Sequence, residues 1–221
     1  MGESAGVESL YPFLYEGEAD LDAVLEEVRR SSVAKAREIV SLRREVLERE
    51  GERLLACARA MAATFAAGNK LLTFGNGGSS TDAQDMATTF LYPAADRRPL
   101  PALALTADIA VVTALSNDVG FEVVFARQVA AFGRAGDVAV GMSTSGNSEN
   151  LVRAFEEAAR RGLVTVGLAG YEGGKMAELD TIDHLFVVPS TSVHRIQEAQ
   201  TTVYHVLWEL TQAVLASGPR P

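Results

Sequence analysis

The chain has 221 residues, enough for one α/β domain with a large core or for two small ones. At 48% hydrophobic and 22% charged it has an ordinary globular make-up, and a net charge of −9 with no basic block disfavours a nucleic-acid or anionic-membrane partner. The single cysteine, Cys57, excludes an intrachain disulfide and a zinc cage built from cysteines.

The acidic N-terminus has no apolar signal-peptide core, and no apolar run approaches the roughly 20 residues of a membrane span, so the expected location is the cytoplasm. Residues 1–18 read as an irregular arm whose apolar knot, Tyr11 to Tyr15, is expected to dock on its own domain or on a neighbouring subunit. Apolar residues at helical spacing (Leu21, Val24, Leu25, Val28, then Val33, Ile39, Val40 and Leu42) predict a helix from Asp20 to about Arg44. An Ala-rich second helix is predicted from about Val46 to Ala67, with Cys57 as a small core residue and Gly68-Asn69 as its stop. The pattern then changes to alternation of strand and helix. Strands are predicted at 70–74, 101–106, 137–142, 163–168 and 184–188, and helices at 79–91, 108–116, 121–133, 148–161, 174–178 and 194–216. The strands are continuous apolar runs, which fits a parallel sheet covered on both faces. The expected architecture is a doubly wound five-stranded parallel α/β sheet in a single domain, residues 19–216, with N-terminal helices over 20–67 and a frayed tail at 217–221.

Two loops carry the chemistry. Gly75-Asn76-Gly77-Gly78-Ser79-Ser80-Thr81 follows the first strand, and Ser143-Thr144-Ser145-Gly146-Asn147-Ser148 follows the third. Each reads as strand, tight turn, helix N-terminus, an arrangement that points backbone N–H groups and a helix dipole at an anion. For the first loop, packing and capping explain the glycines as well as a ligand does; it lacks the lysine of a Walker loop and the spacing of a dinucleotide fingerprint. In the second loop the hydroxyls are denser than capping requires, which points to a phosphate group. His184, Lys175 and Trp208 read as structural or solvated residues.

Together with Ser116-Asn117-Asp118, Gly133 to Asp137 (Gly-Arg-Ala-Gly-Asp) and Arg195-Ile196-Gln197-Glu198, these loops resemble the SIS family of phosphosugar-binding domains, and within it the phosphoheptose isomerase branch. The resemblance runs from about Leu71 to Leu210. It implies a flavodoxin-like fold and a sugar-phosphate site between subunits of a homotetramer. Ser79 and the loop of Ser143, Thr144, Ser145 and Ser148 would hold the phosphate, while Asn76, Gly77, Asp118 and Gln197 would meet the rest of the substrate. For Asp118 the residues alone favour a plain helix C-terminal turn. The reaction implied is proton transfer between C1 and C2 of an open-chain sugar through an enediolate, often with zinc in the site.

The chain departs from that branch at the reacting groups. In the branch the helix after the first loop carries a His and, four residues on, a Glu that serves as base; here those places hold Asp85 and Thr89. Threonine is neither a base at neutral pH nor a good zinc ligand. The Asp often found before Arg195 is His194 here, whereas Gln197 and His205 keep the places that bind metal and, for the histidine, transfer protons. The expected catalytic group is therefore His205, with Asp85 or Glu198 as its carboxylate partner. Asp85 and His194 are expected to exchange roles, so that Asp85, His194, Gln197 and His205 form a metal or acid/base set. The alternative is a non-catalytic phosphosugar-binding protein that works through protein partners, a reading Thr89 favours.

Overall fold

The computed structural model describes residues 21–94 and 96–217. The arm expected over residues 1–18, with its Tyr11–Tyr15 knot, and the tail beyond Ser217 lie outside the described residues. The described residues up to Val40 belong to one compact unit and those from Ser41 onward to another. In the first, the described helix segment leaves Val24, Leu25, Val28, Val33 and Val40 exposed.

Helix α1 runs unbroken from Leu21 to Ala66, where the sequence predicts two helices. The expected break near Glu45 fails because nothing there stops a helix. An ion pair, Arg49 to Glu45 at 3.3 Å, spans the junction one turn apart, and Gly51 alone is too weak a breaker. The stop comes where expected. Gly68 adopts a left-handed φ of 80°, and the amides of Gly68 and Asn69 return to the carbonyls of Phe65 and Thr64.

The second unit is the sheet with its helices. In chain order follow β1 (Leu71–Gly75), α2 (Gly78–Leu91), β2 (Ala102–Ala104) and α3 (Ile109–Asp118). A 3₁₀ turn over Phe121–Val123 then leads into α4 (Val124–Phe132), β3 (Val138–Ser143) and α5 (Glu149–Arg160). The chain closes with β4 (Val164–Gly170), a 3₁₀ turn over Gly174–Glu178, β5 (His184–Val188) and α6 (Val193–Ser217). All strands are parallel, in the order β2-β1-β3-β4-β5. Every residue of β1 and β3 is buried, which is why those strands read as unbroken apolar runs. Strand β2 is shorter than the predicted 101–106, and the helix predicted over 121–133 begins as a 3₁₀ turn, entered from Gly120 at φ 140°.

The core on one face of the sheet centres on Phe74, whose ring lies 5.5 Å from that of Phe125 and 5.4 Å from that of Phe155. Truncating such a ring costs about 3–5 kcal/mol. At the N-terminal edge of the sheet Asp137, 1% exposed, accepts from the amides of Lys70 and Arg134 and pairs with Lys70 Nζ at 2.6 Å. The Gly133–Asp137 segment thus clamps the strand entrances, at the edge opposite the two loops. Cys57 is buried as expected, and burial pushes its thiol up to about 12.

Candidate active site

In a sheet ordered β2-β1-β3-β4-β5 the chain leaves β1 toward one side and β3 toward the other. The crevice between the carboxyl ends of β1 and β3 is where such folds bind ligands. Both Gly/Ser-rich loops open into it.

The first turn of α2 is entered from Gly77 at φ 55°, and that N-cap provides no side-chain hydrogen bond. The hydroxyls of Ser80 and Thr81 turn back onto the carbonyls of Gly77 and Gly78, at 2.7 and 2.6 Å. Ser79 is 4% exposed, its amide held by Asn76 O at 3.0 Å. In the second loop Ser143 Oγ accepts from the Gly146 amide at 3.1 Å and lies 3.3 Å from Ser148 Oγ. Ser145 Oγ accepts from the Asn147 amide, and Thr144 is half-buried beside it. Ser148, although it is the N-cap of α5, makes no capping bond. Helix α3 behaves differently: Asp108 caps it, accepting from the amides of Ala110 and Val111. Both helices that face the crevice lack a side-chain cap, so no side chain competes with an anion at their N-termini.

The loops are fastened to each other and to a third. Asn76 and Asn150 exchange two amide hydrogen bonds of 2.9 Å, tying the turn after β1 to α5. Gly146, at φ 67°, lies so close to the carbonyl of Gly173 that no Cβ fits. Met176 N donates to Gly146 O, and Lys175 N to Asn147 Oδ1. Lys175, read from sequence as solvated, is exposed but pairs with Glu149 at 3.3 Å. A hydrogen bond from Arg153, followed by the Lys175 pairing, holds the Glu149 carboxyl below its usual range.

A second cluster lies between α2 and α6. Asp82, Asp85 and Thr89, spaced by a turn, share one face of α2. From α6, Gln197 packs against Gly78 and donates to Asp82 Oδ2 at 3.4 Å. Burial raises the Asp82 carboxyl, with the Asp85 charge adding to it. Asp85 meets two α6 residues: Tyr204 donates to its Oδ2 at 2.6 Å, and His205 Nε2 lies 3.6 Å from the same oxygen. Of the two carboxylates expected beside His205, Asp85 is therefore the one in contact; Glu198 is paired with Arg195 at 2.6 Å. His194 is exposed in the first turn of α6, and the imidazole that meets Asp85 belongs to His205. Among the described residues no three His, Cys, Asp or Glu side chains gather so as to hold a metal ion. Asp118 is exposed as the last residue of α3, accepting from Asn117 at 2.7 Å. A carboxylate at that end opposes the helix dipole.

Two members of this cluster escaped the sequence reading, Asp82 and Tyr204. Asp82 carried a usable signal, its place one turn before Asp85. Tyr204 sits among the apolar positions of α6 and carried none. Trp208 is half-buried on the same helix.

Comparison with known proteins fits this geometry. A family profile described as SIS domain matches residues 36–170. The phosphoheptose isomerase of Nitratidesulfovibrio vulgaris strain Hildenborough is 45% identical over 191 residues, covering 86% of this chain and 91% of that protein. The phosphoheptose isomerase of Aquifex aeolicus is 43% identical over 180 residues, covering 81% and 93%. Among solved structures, a phosphoheptose isomerase from Neisseria gonorrhoeae superposes with a TM-score of 0.78 at 36% identity, covering 84% of this chain and 99% of that one.

Proposed function

Because the chain belongs to the phosphoheptose isomerase family of SIS-domain proteins, we propose that it interconverts sedoheptulose 7-phosphate, or a closely related sugar phosphate, with its aldose isomer. The observation that carries the reading is the contact of Asp85 with His205 at 3.6 Å. It supplies an imidazole and a carboxylate in a chain that has threonine where the branch has its glutamate.

The crevice ends of α2 and α5, with Ser79 and the Ser143–Ser148 loop, bind the phosphate. This fixes the open-chain sugar by its far end, so that C1 and C2 reach the α2–α6 cluster. His205 takes the proton from C1 of the ketose as the C1–C2 enediolate forms, and returns it to C2. The proton on the C1 hydroxyl is lost and one is gained at O2, so the product is an isomer with no net change of atoms or electrons. Asp85 stabilises the imidazolium formed between the two transfers. Asp82, whose carboxyl burial favours the protonated form, is suited to exchange protons with the oxygens.

The zinc expected from the resemblance does not fit the described residues of one chain. Asp85 and His205 lie together, and no third His, Cys, Asp or Glu completes a group. No step above passes through a metal, and the metal content of the purified protein tests the set expected from the sequence, Asp85, His194, Gln197 and His205. We further propose a homotetramer in the cytoplasm. The exposed valines and leucine of residues 24–40 support an interface between copies, which light scattering on the purified protein tests. Among the described residues no helix is long and apolar enough to cross a membrane.

The direct test incubates the protein, with and without added zinc, with sedoheptulose 7-phosphate and follows aldose formation, with His205→Ala as control. Turnover that His205→Ala abolishes is expected. Absence of turnover with wild-type protein, alongside thermal stabilisation by the sugar phosphate, would establish the binding-protein reading that Thr89 favours.

A further inference from the structure

Tyr204 is the side chain that touches both members of the Asp85–His205 pair. Its hydroxyl donates at 2.6 Å to Asp85 Oδ2, the oxygen that lies 3.6 Å from His205 Nε2. Its ring also lies against the imidazole of its own neighbour in sequence, with centroids 4.9 Å apart and planes inclined by 33°. The three groups differ sharply in freedom. Tyr204 is 1% exposed, whereas the side chains of Asp85 and His205 keep 54% and 44% of their surface in solvent. An exposed aspartate on a helix samples several rotamers, and each lost rotamer has an entropic cost. A short hydrogen bond from a buried hydroxyl restricts that freedom for Asp85, and ring contact restricts part of it for His205.

We infer that Tyr204 is a positioning residue: it holds Asp85 Oδ2 against His205 and so fixes the imidazole in the orientation that proton transfer needs. The kinetic consequence rests on the isomerase reading; the geometric one does not. The competing account is that Asp85 merely satisfies the hydroxyl of a buried tyrosine. On that account, loss of the hydroxyl affects stability and leaves the chemical step alone.

The experiment has a kinetic arm and a spectroscopic arm. Tyr204→Phe, Asp85→Ala and the double variant are compared for kcat and KM with sedoheptulose 7-phosphate. Tyr204→Phe is expected to lower kcat about tenfold with KM unchanged. The double variant is expected to be no slower than Asp85→Ala alone, because the hydroxyl acts only through the carboxylate and the ring it orients. The chain has three histidines, so the His205 ring nitrogens are separable by ¹⁵N NMR and assigned by their loss in His205→Asn. They are expected to report one dominant tautomer in the wild type and a more averaged one in Tyr204→Phe.

Three results overturn the inference: a Tyr204→Phe kcat within about twofold of wild type, losses that multiply in the double variant, or His205 shifts that Tyr204→Phe leaves in place. Should Tyr204→Phe fail to fold, Asp85→Asn replaces it, since that position is exposed; unmoved His205 shifts there are equally fatal. The spectroscopic arm needs no turnover, so an inactive wild type sinks the isomerase reading while the ring shifts still decide the role of Tyr204.

Discussion

The two ends of the site are made in different ways. The proposed anion end is backbone: two helix N-termini, neither capped by a side chain, brought together where the strand order reverses. The proposed reaction end is side chain: Asp82 and Asp85 from α2 meet Gln197, Tyr204 and His205 from α6, partners 115 to 119 residues apart in the pairs Gln197–Asp82 and Tyr204–Asp85. Backbone donors share their load, so no single residue carries the grip. Side chains that move protons do not share it. The resemblance read from the sequence divides in the same way: the loop residues are kept, while Thr89 stands where the branch has its glutamate.

That contrast orders the expected effects. The largest falls on the reaction end. His205→Ala should lower kcat by about 10²–10⁴-fold while leaving intact the thermal stabilisation given by sugar phosphate, read by calorimetry with and without ligand. Loss of both together would place His205 in the binding site proper and blur the division. At the anion end, Ser143→Ala and Ser148→Ala are each expected to raise KM by about tenfold, the scale of one charge-assisted hydrogen bond, with kcat nearly kept. A fall in kcat at constant KM would show that the loop acts on the reacting carbons as well.

Away from both ends, Asp137→Ala should cost about 3 kcal/mol of stability in a denaturant melt, since it strips three donors of a buried acceptor. Because Asp137 lies at the far edge of the sheet, KM should not move; a raised KM would show that the strand entrances shape the crevice. The smallest effect concerns His184, whose burial holds the imidazole below its usual 6.5. In the window just below that value the unfolded chain binds more protons than the folded one. His184 therefore lowers stability as pH falls through it. His184→Asn should flatten the melting temperature between about pH 7 and pH 5, without altering either end of the site.

Much of the fold was legible because each element is specified locally. Unbroken apolar runs are what parallel strands buried on both faces require, and β1, β3 and β4 lie within a residue or two of their predicted bounds. The loops were legible for the same reason, since glycine and hydroxyl residues at a strand-to-helix turn state their conformation in a few letters. The break predicted near Glu45 was wrong because a pause in apolar periodicity is not a stop; α1 continues wherever no residue forbids it. The reaction end was legible only in part. Asp85 and His205 stood out as chemistry on a helix, but which carboxylate meets which imidazole depends on how α2 packs on α6. The Asp85–His205 contact is tertiary information, and so is the bond from Tyr204, whose apolar neighbours Val203, Val206 and Leu207 gave no sign of it.

The depth of Cys57 has a practical side. Fully buried and with its thiol pushed up to about 12, it holds almost no thiolate at neutral pH and gives reagents no path to the sulfur. The natural chain thus behaves toward maleimides and disulfide reagents as though it carried no cysteine. A cysteine introduced on the surface of α2 or α6 would take a fluorophore or spin label alone, and distances across the crevice could be followed as substrate enters without first removing a native thiol.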